Sequence, residues 1–312
     1  MFGRDSMRYG MSIIVRGDAA TRETFDRMAD KAEAVGLDTL WASDHLIMPA
    51  LRVSRYPGRP DGQLPDGWKR TYYQPFSVLN YLAARTRTVR LGTSVLILPM
   101  RNPVEVAAQV AELDQLSQGR VNLGVGVGWF REEFEALGYS FDDRGARANE
   151  GLAIVKALRT QDVSTVEGPT YRFAGARMGP KPVQRPHPPI YVGGNTPAAI
   201  RRVARYGDAW HPFKVTPAGL AELRPALRAA LEAEGRPAAG FPIAPKITLS
   251  FQDTPPRDGQ APTQGRPQDI VDGLRRFRDA GATEFCFDLV TETLEVALDT
   301  LDRFVNEVRP KV

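Results

Sequence analysis

The segment WASDH at positions 41–45 ends a β-rich run on an acid and an imidazole, Asp44 and His45. An imidazole titrates near neutrality, so beside a ligand at a strand end it can take or give a proton. The same pair would also suit a plain strand end whose ring is held structurally. RLGTSVLILP (90–99) sets Gly92, Thr93 and Ser94 ahead of Val95 inside an otherwise apolar strand. Small and hydroxyl residues there mark a bulge, the close approach of another group, or tight interior packing. LGVGVGW (123–129) spaces Gly124, Gly126 and Gly128 alternately before Trp129, leaving one strand face bare for a flat ligand or a neighbouring residue. It is not a dinucleotide fingerprint, because the sixth position from Gly124 is Trp129 and not glycine. PIYVGGNTP (189–197) runs from a strand through Gly193 and Gly194 to Asn195, Thr196 and a helix start at Pro197. The amides opening that helix favour a phosphate, although a plain strand-to-helix turn has the same residues.

The elements that carry these segments alternate. Strand patterns cover 8–15, 39–43, 90–96, 121–127, 189–192, 209–211, 243–249 and 284–288, and helical patterns 21–35, 75–86, 102–118, 145–159, 196–206, 217–234, 268–280 and 294–308. The helix near 102 shows its start in Asn102, Pro103 and Glu105, its inner face in Val106, Val110 and Leu113, and its stop in Gly119. Eight strands each followed by a helix predict an α/β fold of the closed (β/α)8 class, a TIM barrel, as one domain over 1–312. An open doubly wound sheet is the alternative. Residues 46–70, 162–188 and 253–267 break the repeat as insertions, the second with hairpin character. Those that leave C-terminal strand ends are lids over the barrel mouth.

Composition narrows the function. The 312 residues are 42% hydrophobic and 25% charged, ordinary globular usage, and no apolar stretch approaches the roughly 20 residues of a bilayer span. No membrane association and a cytoplasmic location are expected. One cysteine, Cys286, and three histidines leave no metal site in view. The net charge of +4 comes from scattered arginines, so no nucleic-acid partner is expected. P-loop, HExxH and GxSxG motifs are absent. Arg52, Arg55, Arg59, Lys69 and Arg70 on the first insertion would greet an anionic substrate or simply solvate a lid.

Taken together, WASDH, 90–99, RNPVEVAAQVAELDQLSQG (101–119), RVNLGVGVGWFREEFEALG (120–138), PKPVQRPHPPIYVGGNT (180–196) and GDAWHP (207–212) resemble the bacterial luciferase-like flavin-dependent oxidoreductases. The resemblance spans nearly the whole chain and is closest to the branch assigned to coenzyme F420. It implies a TIM barrel with a flavin across its mouth. Thr93, Ser94 and Val95 would lie against the ring, commonly around a non-proline cis peptide, with Gly126 and Gly128 clearing space. Gly193, Gly194, Asn195 and Thr196 would bind the phosphate end, and His45, with Asp44 beside it, would move the proton. Trp129 stands where deazaflavin-dependent dehydrogenases of this kind carry a glutamate, so a sugar-phosphate dehydrogenase is disfavoured and a flat apolar wall is expected.

The resemblance implies hydride transfer between F420 and a small organic substrate. The alternatives are an FMN monooxygenase using O2 and reduced flavin from a separate reductase, or a non-enzymatic flavin-binding scaffold. A homodimer is expected too, because the apolar residues of the 75–86 helix exceed one buried face.

Overall fold

The alternating pattern closes into a barrel in the computed structural model, which describes residues 7–65, 71–289 and 293–312. The strands are β1 (Arg8–Ser12), β2 (Thr39–Ala42), β3 (Arg90–Thr93), β4 (Leu96–Ile97), β5 (Val121–Gly126), β6 (Ser164–Glu167), β7 (Arg172–Ala176), β8 (Ile190–Gly193), β9 (Ala209–His211), β10 (Lys246–Phe251), β11 (Gln264–Gly265) and β12 (Glu284–Leu289). Parallel pairing runs β10-β12-β1-β2-β3-β5-β8-β9. Two parallel bridges, Trp210 to Ile243 and Phe213 to Lys246, join the ends of that order and close the ring. β4 continues the third stave after a break and pairs with β5. The barrel is therefore eight-stranded, as expected.

The helices α1 (Arg22–Ala34), α2 (Pro75–Arg85), α3 (Pro103–Leu116), α4 (Arg131–Ala136), α5 (Arg144–Thr160), α6 (Pro197–Tyr206), α7 (Pro217–Ala233), α8 (Pro267–Asp279) and α9 (Leu294–Arg303) surround it. α3 begins as its sequence implies: the Asn102 side chain accepts the Val104 amide, and Pro103 occupies the first turn where no donor is needed. α4 is not among the expected helices. The apolar residues Phe76, Val78, Leu79 and Leu82 of α2 are all buried within the subunit, and Tyr81 donates its hydroxyl to Asp26. That apolar circumference packs against the subunit's own elements.

The second insertion forms an antiparallel hairpin, β6 with β7. The third contributes β11, which extends β10. The described part of the first insertion is a strap fastened at separate points. Glu132 on α4 accepts the amides of Val53 and Ser54, and Lys214 beyond β9 donates to the Gly58 carbonyl.

Below the mouth the barrel is filled by Trp41. A Cβ on Gly10 or on Gly92 would lie 2.3 Å from the indole, so both neighbouring strands need glycine where this ring crosses them. Trp41 meets Tyr191 edge-on at 5.3 Å and stacks with His211 at 5.3 Å, which makes an aromatic floor. Gly92 thus serves interior packing, while the irregularity after it serves the site.

Candidate active site

The C-terminal strand ends surround a cavity of about 230 Å³. Asp44, His45, Ser94, Gly126, Gly193 and His211 all border it, and Tyr56 and Pro57 of the strap close one side. Among the described residues no group of His, Cys, Asp or Glu side chains is arranged to hold a metal, and no helix is long and apolar enough to cross a membrane.

His45 is buried with its Nδ1 2.8 Å from Oε2 of Glu133. The other carboxylate oxygen accepts the amides of Leu46 and Ile47, the latter at 3.2 Å. Glu133 thus engages the Nδ1 side of the ring. Asp44 has a different task from its neighbour. Its carboxylate is 0% exposed, takes the Ile97 amide at 2.9 Å and pairs with Arg101 at 2.6 Å. Arg101 also donates to Gln74, which donates to the His45 carbonyl at 2.9 Å. Both oxygens of Asp44 are occupied, so the expectation that it acts beside His45 in catalysis gives way to anchorage: it ties the end of β2 to β4.

Between β3 and β4 the Ser94–Val95 peptide is cis, as the resemblance implies. The Val95 side chain turns toward Gly126 and Gly193, where added Cβ atoms would come to 2.5 and 3.2 Å of it. The space expected to serve the ligand at Gly126 is filled by Val95, whose own flank then forms the cavity wall. Gly128, with φ +79, leaves room for Ile97 and Phe134 in the same way. Thr93 is not in the lining. Its hydroxyl donates to the Gly124 carbonyl at 2.6 Å and ties β3 to β5. Trp129 lines the cavity as a flat wall, stacked on Phe130 at 4.7 Å and 5° and meeting Tyr56 at 5.4 Å.

Gly193 and Gly194 border the cavity, and φ +109 at Gly194 demands glycine. The Gly194 carbonyl accepts the Trp210 indole N–H at 2.8 Å, which fixes the turn. The side chain of Asn195 does not extend it as expected. Asn195 brackets the backbone of Phe213, donating to its carbonyl at 2.8 Å and accepting its amide at 3.1 Å, and Thr196 caps α6 through the Ala199 amide. The amide of Asn195 is spent on Phe213, whereas the exposed Thr196 hydroxyl accepts in the cap and keeps its own O–H to donate. Arg202 of α6 is buried as well, but it lies outside the cavity lining and its guanidinium donates to the Asn149 side chain at 2.7 Å and the Gly145 carbonyl at 3.1 Å, holding α6 on α5.

Opposite His45 the wall is ionic. Burial would raise the Asp288 carboxyl, but Lys246, Arg16 and Lys214 together hold it below its usual range. Lys246 also donates to the Ser94 carbonyl at 3.1 Å. His211 is fully buried. Its Nδ1 donates to the Ala244 carbonyl at 2.6 Å, so Nε2 accepts the Ser94 hydroxyl at 2.9 Å. Burial, with the Lys246 charge, pushes this imidazole down to about 3, so it stays neutral. Tyr72, pushed up to about 12 by burial, keeps its proton and shares a hydrogen bond with Ser43.

Of the strap arginines, Arg52 bonds to Ser54 and Gln63, Arg55 to the carbonyls of Pro60 and Asp61, and Arg59 to the Asp61 carboxylate. They order the loop they sit on. Lys69 and Arg70 lie outside the described residues. Glu133, Arg101, Lys246 and Asp288 do not stand out in motif reading. For Glu133 a signal exists: Phe130, Phe134 and Leu137 set a helical apolar stripe on which Glu133 falls, an acid on a buried face.

Comparison with known proteins gives consistent likenesses. A family model described as "Luciferase-like monooxygenase" matches residues 7–257. An uncharacterised protein of Mycobacterium tuberculosis is 32% identical over 91% of this chain and 94% of its own length. The F420-dependent glucose-6-phosphate dehydrogenase of Kineococcus radiotolerans is 34% identical over 77% of this chain and 68% of its own. The FMNH2-dependent dimethylsulfone monooxygenase of Pseudomonas putida is 34% identical over 45% of this chain and 39% of its own. Among solved structures, a monooxygenase from Streptomyces bottropensis superposes with TM-score 0.79 at 22% identity, covering 97% of this chain and 99% of that one. An F420-dependent secondary alcohol dehydrogenase does so with TM-score 0.78 at 19% identity, covering 97% and 98%. At these identities the structural likeness speaks for the barrel alone.

Proposed function

The chain belongs to the luciferase-like monooxygenase family, and from that premise we propose that it is an F420-dependent oxidoreductase passing hydride to or from a small organic substrate. The residues present fit such a cofactor. Val95 is held by two glycine positions so that its flank and the Ser94–Val95 peptide offer one wall for a flat ring, and Trp129 offers another. The Gly193–Gly194 turn and the backbone amides that lead into α6 would receive the phosphate end. The bound coenzyme would supply the hydride. The chain's own residues orient it, close the strap over the site, and move a proton at Nε2 of His45.

The observation that carries the reading is His45, fixed at the cavity by Glu133 beside the Val95 wall. The preference for F420 rests on the reach of the likeness, 77% of the chain for the F420-dependent relative against 45% for the FMN-dependent one. Trp129 favours a substrate other than a sugar phosphate, since it puts an apolar ring where an acid is otherwise expected. A second reading, an FMN monooxygenase fed with reduced flavin by a separate reductase, is favoured by the Trp129, Phe130 and Tyr56 wall, which excludes water.

Absorbance titration with F420 and with FMN tests the proposal. A saturable spectral change with F420 supports it, a response to reduced FMN alone supports the second reading, and silence with both overturns the two together. His45→Ala should keep cofactor affinity within about tenfold while turnover falls by roughly 10² to 10⁴, the usual contribution of a positioned acid or base. Unchanged turnover at saturation would remove His45 from the mechanism.

A further inference from the structure

Glu133 sits in α4, 88 residues from His45 in sequence, yet it has 1% exposure, and among the described residues its carboxylate bonds only to the segment that starts at His45. Oε1 accepts two backbone amides, those of Leu46 and Ile47, while Oε2 faces Nδ1 of the imidazole. Backbone amides can only donate, so Oε1 must be an acceptor. A carboxylate whose other oxygen also accepts requires Nδ1 to carry a proton. We propose that Glu133 is a positioning residue that fixes His45 in the Nδ1–H tautomer and directs the basic Nε2 to the ligand.

The arrangement also fixes where the ring points. Two amides pin the carboxylate to the backbone that follows the histidine, so the acid and the imidazole move as one unit with the start of the strap. Tyr72 at 5.1 Å and Phe130 at 6.1 Å stand edge-on to the ring and limit its rotation. When Nε2 takes a proton from a ligand, Nδ1 keeps its own and continues to donate to Glu133. The imidazolium then faces a carboxylate, and no proton passes to Glu133. When Nε2 returns its proton, the starting tautomer is restored. The role of this proton in turnover rests on the reading under Proposed function, whereas the tautomer itself does not.

Glu133→Gln isolates the effect. The carboxamide oxygen remains on the Leu46 and Ile47 amides, because nothing else in the side chain can accept them. Its N–H then faces Nδ1, and the imidazole must accept there and carry its proton on Nε2 instead. The chain holds only three histidines, so long-range 1H–15N spectra of histidine-labelled protein resolve each ring, with the His45 signals identified from their loss in His45→Ala.

At pH 8 and without cofactor, His45 of the wild type should show the Nδ1–H pattern and Glu133→Gln the Nε2–H pattern. With cofactor and substrate, Glu133→Gln should lose about a hundredfold or more in kcat, with cofactor affinity within about threefold. An Nε2–H pattern in the wild type overturns the inference even if the variant fails to fold. An unchanged tautomer in folded Glu133→Gln overturns it as well, as does a switched tautomer with full kcat. A switched tautomer in a protein that binds no flavin would sink the proposed function and leave the tautomer assignment standing.

Discussion

Removing the Asp44 carboxylate distinguishes an anchor from a catalyst. Its two oxygens meet two different donors, the Ile97 amide at 2.9 Å and the Arg101 guanidinium at 2.6 Å, and the carboxylate is wholly buried. Asp44→Ala leaves a guanidinium that is only 14% exposed without its counter-charge. Breaking such a pair costs about 3–5 kcal/mol, and the orphaned Ile97 amide falls within that range rather than on top of it. Asp44→Asn keeps one acceptor but turns an N–H toward a donor and drops the charge, at about 1.5–3 kcal/mol. Against a total stability of roughly 5–15 kcal/mol, both variants should fold, in the order wild type, Asn, Ala. Urea unfolding followed by tryptophan fluorescence reads the differences as midpoint shifts at constant slope. A cost below about 1 kcal/mol for Asp44→Ala would refute the anchor. So would an Asp44→Asn protein of wild-type stability whose turnover falls by about 10² to 10⁴, since that is the signature of a group exchanging protons.

Gly126→Ala should place its Cβ 2.5 Å from Val95 Cγ2, forcing the wall residue outward at a cost of about 1–3 kcal/mol and weakening the cofactor by about tenfold. A cofactor titration matching wild type would show that Val95 does not shape the ring site. His211 concerns acid stability. Burial and the Lys246 charge lower it from 6.5 to about 3, so between those values the unfolded chain binds a proton that the folded chain refuses. The stability it contributes is complete above about pH 6.5 and is lost as pH falls toward 3, at up to about 1.4 kcal/mol per pH unit. His211→Gln should flatten the fall in urea midpoint between pH 7 and 5, and an imidazole signal protonated already at pH 6 in folded protein would contradict the assignment.

Much of the architecture was legible because it depends on local patterns. The strands at 39–43 and 209–211 and the helix opened by Asn102 and Pro103 emerge within a residue or so of their expected bounds, since strand alternation and caps are short-range signals. α4 is hard to read because its apolar stripe of Phe130, Phe134 and Leu137 is short and the helix spans only Arg131–Ala136. The apolar excess of α2 has a source within the subunit. A helix wedged between two others and the sheet buries more than one face, and only the packing reveals which neighbours it has. The GTS break at 92–94 was recognised as irregular, but its parts divide: Gly92 yields to Trp41, Thr93 ties two strands, and Ser94 begins the cis peptide.

At the site, the residues legible in the sequence line the cavity, and those not legible are the groups that hold them. His45, Val95, Trp129 and the Gly193–Gly194 turn sit in short motifs whose composition is odd enough to notice. Their supports come from elsewhere: Glu133 for His45, Arg101 and Gln74 for the end of β2, Lys246 for the Ser94 carbonyl. Such supports are ordinary polar or charged residues until the fold places them, and such a residue reads as solvated by default. The same default fails in reverse at Asn195, whose polar side chain looks open to a ligand yet is spent on the backbone of Phe213. A hydroxyl or amide beside a strand end has the same sequence signature whether it meets a phosphate or its own backbone. Where a charge falls on an apolar helical stripe, as Glu133 does between Phe130, Phe134 and Leu137, that ambiguity narrows. Burial then demands a partner, and the nearest cationic or N–H-bearing group of the site is where to look for it.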